Sequence, residues 1–204
     1  MSQSIKDLRI FIAHGSDDVR ETLADFASKR HVVLGTAGTV VQMKQAVMEE
    51  RPDLLVTGVS YPDGDGIDAA IELGHVAPLP AVVATSARSL ELVEKAMRDH
   101  VMAYLIEPIL SEDLQAAIIV AWARYIELTH LEAQVDDMKI ALEDRKIIER
   151  AKGILMASEN IGEGEAFGLL RSRSQDNREK MVDVARRILE DAQAEAEEEA
   201  KLKS

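Results

Sequence analysis

There is no cysteine among the 204 residues. Disulfides, thiolate zinc sites, iron–sulfur clusters and thiol nucleophiles are excluded together. Aromatic residues are scarce, at 3% of the chain. The longest apolar run, around Leu114 to Trp122, falls well short of the roughly 18–20 residues that a membrane-spanning helix needs. No basic-then-apolar signal segment opens the sequence, so a soluble cytoplasmic protein with no membrane partner is expected. Five histidines (His14, His31, His75, His100 and His130) are scattered without metal-ligand spacing and are expected to be surface or structural residues. No Ser/His/Asp grouping or glycine-rich phosphate loop stands out. No catalytic residue, metal site or cofactor is therefore expected, and the chain is not read as an enzyme. Positive charge is also in deficit. The 24 Lys and Arg against 37 Asp and Glu leave a formal net charge of −13, which taken alone argues against nucleic acid as a partner.

What is present is globular: 47% hydrophobic and 30% charged residues, in a chain long enough for one large domain or two small ones. The charge is unevenly placed. Arg145 to Arg187 holds ten basic and seven acidic side chains, a net of +3. Met1–Leu110, Ser111–Asp144 and Ile188–Ser204 are net −6, −6 and −4. The overall acidity conceals one basic island.

The first half alternates strand and helix patterns. Leu8–Ala13 reads as a strand and Val19–Ser28 as an amphipathic helix capped by Ser16 or Asp17. Val32–Thr36 is a second strand, followed by a helix from about Val40 to Glu50. Asp53–Val59 is a buried third strand, and the loop Tyr61–Gly66 turns into another helix. Pro80–Thr85 and Ala103–Ile106 complete five strands. Strands separated by helices imply a doubly wound, parallel α/β sheet. From Ser111 onward no strand pattern appears, and neither Pro nor Gly interrupts Ser111–Lys152, so one long helix is expected to link the halves. Leu128, Leu131, Val135, Met138 and Leu142 follow a 3-4-3-4 spacing, with Ala121 one heptad before Leu128. That is the signature of a coiled-coil seam. The alternative is a helix packing within its own chain, but no nearby strand is available to cover the stripe, which favours a homodimer. After Gly153 the pattern breaks at Ser158-Glu159-Asn160-Ile161-Gly162-Glu163-Gly164. A short helix is expected over Glu165–Arg173 and a last one from near Asp176, with Met181, Ala185 and Ile188 on one face. Ala192–Ser204 reads as frayed helix or a solvated tail. The domains expected are 1–112, a linker helix over 113–144, a small three-helix domain over 145–191 and an acidic tail over 192–204.

The strand order, the Pro52-Asp53-Leu54 entry to the third strand and the Pro62-Asp63-Gly64-Asp65-Gly66 loop resemble response-regulator receiver domains over Lys6–Glu127. In that family an acidic pair after the first strand binds magnesium, and an aspartate ending the third accepts phosphate. A hydroxyl ends the fourth strand, and a lysine before a proline ends the fifth. The resemblance places His14 and Gly15 at the acidic pair, Gly58 at the acceptor, Thr85 at the hydroxyl and Glu107, before Pro108, at the lysine. Phosphoryl transfer needs a carboxylate nucleophile, metal ligands and a cation, so only Thr85 suits that chemistry. No phosphorylation site is expected. Asp17 and Asp18 fall three residues late for the acidic pair and read as helix-capping residues. Asp63 and Asp65 read as turn formers, not calcium ligands.

The basic island holds the run Arg145-Lys146-Ile147-Ile148-Glu149-Arg150-Ala151-Lys152-Gly153-Ile154-Leu155-Met156. With Glu163-Gly164-Glu165-Ala166-Phe167, Leu170-Arg171 and Lys180-Met181-Val182-Asp183-Val184-Ala185, it is similar to the ANTAR domain over Asp144–Leu189. The resemblance implies a three-helix RNA-binding module of transcription antiterminators, which recognises paired stem-loops in a leader transcript. Gly162, where a capping Ser or Thr is common, and Ser174, where Ala is usual, are expected to loosen the second helix slightly. Arg150, Lys152, Met156, Arg171, Arg173, Asn177, Arg178 and Lys180 are the candidate RNA-binding residues. Phe167 lies in an apolar helical pattern and is expected in the core. From charge alone, these cations read equally well as a solvated face balanced by Glu149, Asp176, Glu179 and Asp183.

The expected molecule is a homodimeric antitermination regulator, controlled without aspartyl phosphorylation and without any cofactor, with a regulatory sensor protein as a further partner. The competing expectation is a protein-interaction scaffold that uses the receiver fold and coiled coil without RNA. A DNA-binding regulator ranks third, since no helix-turn-helix signature is evident.

Overall fold

The computed structural model describes residues 7–86 and 101–202, and His100 lies outside these. The chain divides into two compact units, Met1–His130 and Leu131–Ser204. Its elements are β1 (Arg9–Ala13), α1 (Asp17–Ser28), β2 (Val32–Ala37), α2 (Val40–Glu50), β3 (Leu54–Gly58), β4 (Ser60–Tyr61), β5 (Gly64–Asp65), α3 (Gly66–Val76), β6 (Ala81–Thr85), β7 (Val101–Ile106), α4 (Ser111–Glu159), α5 (Glu163–Asn177) and α6 (Met181–Leu202).

In the first unit β2-β1-β3-β6-β7 form a five-stranded sheet in which every neighbouring pair is parallel. Successive strand residues point to opposite faces, and both faces are covered. Ile10, Ile12, Leu54, Val56, Val82 and Ala84 pack with Leu23 and Ala27 of α1 and with Leu114, Ala117, Ile118 and Ala121 of α4. Phe11, Ala13, Leu55 and Ala81 pack with Val40, Met43 and Val47 of α2 and with Ala69, Ala70 and Leu73 of α3. Burial on two faces explains why the strands read as continuous apolar runs.

The four buried α4 residues follow the i, i+3, i+4, i+7 spacing of a core-facing stripe. Side chains fasten that end of the helix: Gln115 Nε2 donates to the Phe26 carbonyl at 2.7 Å, Arg124 Nη1 to that of Met102 at 2.9 Å, and Tyr125 Oη to that of Pro78 at 3.0 Å. Ala121, expected as the first seam position, instead belongs to the sheet core and is fully buried. The stripe emerges only beyond it. Leu128, Leu131, Val135, Met138 and Leu142 are 38–64% exposed.

Two aspartates of the β3–α3 region terminate helices. Asp65 is the N-cap of α3 and accepts from the amides of Ile67 (2.8 Å) and Asp68 (3.1 Å). Asp63 accepts from the Val40 and Val41 amides at 2.8 and 3.0 Å, capping α2 from a distant loop, and these bonds hold its pKa below the usual value. Ser16 sits at the N-cap of α1 without a side-chain cap bond. Asp17 binds Arg20 instead, Oδ1 to Nη2 at 2.7 Å, while both Asp17 and Asp18 lie in the first turn, where the helix dipole favours negative charge.

The second unit is helical. Ala151 and Leu155 of α4, Ala166 and Leu170 of α5, and Val184 and Ala185 of α6 form its core, with Ile147, Ile161, Leu169, Met181 and Ile188 packed around them. Helix α4 runs through Gly153 and ends at Glu159, within the expected break. Ala151 and Leu155, both buried, flank the glycine, and burial of a leucine at about 1.5–3 kcal/mol exceeds the ~1 kcal/mol glycine penalty. The helix ends where Asn160 adopts a left-handed conformation, φ 53°. Helix α5 is longer than expected at both ends, α6 begins at Met181 instead of near Asp176, and the Ala/Glu-rich stretch is helical to Leu202. No described helix is long and apolar enough to cross a membrane.

His31, between α1 and β2, is 6% exposed. Neither of its ring nitrogens, nor the Gln115 Oε1 atom, has a hydrogen-bond partner. Burial lowers its pKa below the ordinary 6.5, an effect opposed by Gln115, reinforced by the Arg30 charge and opposed again by Asp7. The unfolded chain therefore takes up a proton near pH 6.5 that the native state binds only at lower pH. Stability is full above that value and falls as the pH drops toward the native pKa. In urea unfolding at about pH 7.5 and about pH 5.5, His31→Leu is expected to lose less stability on acidification than the wild type. Equal losses would exclude His31 as the cause.

Candidate functional site

The strand order reverses direction at β1 and β3, and such sheets bind ligands in the crevice beyond the carboxyl ends of the strands there. In this chain β1 leads into His14 and Gly15, β3 ends at Gly58, β6 at Thr85, and β7 leads into Glu107. The crevice is filled. A Cβ at Gly58 would lie 2.5 Å from His14 Cδ2, and one at Gly15 would lie 2.4 Å from the Ser60 carbonyl oxygen. The first obstacle is a ring and the second is backbone, so neither position admits a carboxylate as the chain is folded.

His14 is held from several sides. The Ser16 amide donates to its Nδ1 at 3.0 Å, which leaves the ring proton on Nε2. That nitrogen faces Glu107 Oε1 at 3.4 Å. Arg20 Nη1 donates to the His14 carbonyl at 2.9 Å. On the β3 side, the Tyr61 hydroxyl accepts from the Gly58 amide at 3.2 Å and shares a 2.8 Å hydrogen bond with Thr57 Oγ1. Burial pushes the Tyr61 pKa up to about 12, so the hydroxyl keeps its proton. Thr85 is buried and hydrogen-bonded to Tyr104. Among the described residues no group of acidic or histidine side chains is arranged to hold a metal. At the end of β3, Gly58 carries no carboxylate, and after β7 Glu107 is an acid. Tyr61 was not singled out in the sequence, although its position three residues after Gly58 puts it within reach of the strand end.

Gly58→Asp is expected to force His14 aside, destabilising the first unit by about 1–3 kcal/mol in urea unfolding. The variant should take up no label from a small phosphodonor with magnesium. An acyl-phosphate on the new aspartate would contradict this description of the crevice.

In the second unit Arg150, Met156, Arg171, Arg173, Asn177, Arg178 and Lys180 are exposed. Lys152 departs from expectation. It is 6% exposed, and its Nζ donates to Glu149 Oε2 and Glu163 Oε1, each at 2.8 Å. Those bonds raise its pKa and lower that of Glu163. Lys152 therefore ties α4 to the first turn of α5 instead of standing on the surface. Phe167 departs in the opposite sense. It is not in the core but 43% exposed, because its neighbours Ala166 and Leu170 take the buried face of α5.

The acids expected to balance the cations are mostly engaged elsewhere. Glu149 and Glu163 hold Lys152, Glu179 pairs with Arg187, and Asp176 accepts from Ser172 at 3.2 Å. Among the described residues, none of Arg150, Arg171, Arg173, Arg178 and Lys180 has a carboxylate within ion-pairing distance. The departures at Gly162 and Ser174 are both accommodated. Gly162 lacks an acceptor side chain, but its amide donates to Glu165 Oε2 at 3.0 Å, which supplies half of a capping box. Ser174 Oγ donates to the Glu179 carbonyl at 2.7 Å, fastening the α5–α6 turn instead of loosening it.

Comparison with known proteins agrees with both halves. Residues 136–189 match the ANTAR domain and residues 10–119 the response regulator receiver domain. The chain is 36% identical over 183 residues to the transcriptional regulatory protein PdtaR of Mycobacterium tuberculosis, covering 89% of each. It is 41% identical over 63 residues to the nitrate regulatory protein of Klebsiella oxytoca, which is 31% of this chain and 16% of that protein. The signal receiver domain of NarL from Mycobacterium tuberculosis superposes with a TM-score of 0.53 at 15% identity, over 56% of this chain and 95% of that one, and shows the shared fold. The chain belongs to the response regulators that join a receiver domain to an ANTAR domain, a family of RNA-binding antitermination regulators.

Proposed function

We propose that this chain binds stem-loops in leader transcripts through the cationic face of its helical domain, as a homodimer joined along α4, without aspartyl phosphorylation. The observation that carries the RNA reading is electrostatic. Among the described residues, Arg150, Arg171, Arg173, Arg178 and Lys180 are exposed without carboxylate partners, while Glu149, Glu179 and Asp176 hold other groups. Cations left free in this way displace counterions from a phosphate backbone. Asn177 offers hydrogen bonds to base edges and Met156 an apolar contact, as recognition of unpaired loop bases requires.

The exposed stripe of α4 supports pairing of two chains, since each large apolar residue moved from water into a seam contributes about 1.5–3 kcal/mol when fully buried. Two RNA-binding modules on one dimer turn the second hairpin contact into an intramolecular one, which raises avidity. With the crevice closed by His14, control falls to a sensor protein that covers the RNA surface or alters the dimer. The same stripe also favours the scaffold reading, which differs in requiring no RNA.

The probe is an RNA enriched on the wild-type chain from a library of tandem hairpins with randomised loops. Its affinity is expected to fall steeply with salt. The double variant Arg171→Ala/Arg178→Ala should weaken binding and reduce the log–log salt slope by about two; an unchanged slope would contradict the assignment. For the seam, sedimentation equilibrium should find the wild type dimeric and Val135→Glu/Met138→Glu monomeric. A wild type that stays monomeric throughout the micromolar range would rule out the paired α4.

A further inference from the structure

Phe167 is the single aromatic residue between Leu131 and Ser204, and it is 43% exposed on α5. The core beneath it is filled by Ala166 and Leu170, with Leu169 packed beside them. Gly164 precedes it by three residues and Gly168 follows it, and a Cβ added at either glycine would meet nothing within 4 Å. Glycine is a poor helix former, and these two leave open space on the exposed side of α5. Residues three and four apart are surface neighbours on a helix. Glu163 is turned to Lys152, which leaves Arg171, four residues after Phe167, as the long unpaired side chain beside the ring.

We propose that Phe167 is a stacking platform for one unpaired RNA base, with Arg171 beside it for the adjoining phosphate. This rests on the RNA reading above and adds the residue that grips a splayed base. The chemistry favours a nucleotide over a protein surface. A docking site for apolar side chains has a contiguous apolar centre, whereas on α5 Phe167 is the one large apolar side chain more than a third exposed among the described residues, with Arg171 four residues on. Base–aromatic stacking needs one open ring face and tolerates any base, and cations beside it neutralise the phosphate that follows. A platform on a well-packed helix also supplies the stacking aromatic that a sequence with so few aromatic residues otherwise lacks.

The test uses the full chain and the RNA enriched on it from the randomised tandem-hairpin library. Phe167→Leu keeps apolar bulk but has no ring, and Phe167→Tyr keeps the ring. Circular dichroism melts of both should match the wild type, since the side chain lies outside the core. Phe167→Leu is expected to weaken binding about 5- to 150-fold, the loss of one stack, with the salt slope unchanged, and Phe167→Tyr should bind within about twofold of the wild type. Scanning the loops with abasic nucleotides should find a position where the wild type binds as weakly as Phe167→Leu. Wild-type affinity in Phe167→Leu would overturn the proposal, as would equal loss in both variants. A change in oligomeric state with RNA binding intact would overturn it in favour of a protein contact. If the wild type enriches no RNA at all, the RNA reading itself fails, and this outcome is distinct from a failure of the platform alone.

Discussion

One helix supplies two separate cores, and the molecule depends on its continuity. Leu114, Ala117, Ile118 and Ala121 of α4 complete one face of the sheet, while Ala151 and Leu155 complete the helical unit. Between them the same helix carries an apolar stripe with nothing to cover it within the described chain. A helix anchored by burial near both ends does not fray between them, even across a glycine. The exposed stripe is thus held in helical register, the condition for a heptad seam to meet another chain.

The receiver half keeps the fold, while side chains and backbone pack into the crevice at the ends of its strands. His14 takes the space an acceptor side chain at Gly58 would need, and the Ser60 carbonyl takes that beside Gly15. Tyr61, Thr57 and the Gly58 amide satisfy one another across the end of β3, while His14 faces Glu107. Groups that would otherwise face a ligand are turned inward on each other.

The sheet was legible because its strands are buried on both faces and so stand out as apolar runs between helical patterns. The vacated acceptor position was legible because a glycine cannot be a nucleophile in any environment. Burial of individual side chains was not legible. Lys152 and Phe167 exchange the places expected of them because one helical turn decides which face meets the core, and Ala166 and Leu170 take that face. The fate of Ala121 shows the same limit. Its heptad spacing to Leu128 is real, but only the sheet beneath it determines that the first of these is buried and the second is not. Nor does sequence spacing reveal that Glu149, Glu179 and Asp176 are held by Lys152, Arg187 and Ser172, which is what leaves the arginines uncompensated.

If RNA binds at the one basic island, as proposed, the acidic remainder adds selectivity, because it repels nucleic acid while the island attracts it. The proposed surface concentrates free cations, a hydrogen-bonding amide and one open ring on the helical domain. The most direct test of this account is crosslinking in cells followed by sequencing of the RNA bound to the chain. The account predicts reads concentrated on tandem stem-loops in leader transcripts, and their loss when Arg171 and Arg178 are replaced together. Reads no richer in leader stem-loops than those from an uncrosslinked control would contradict it.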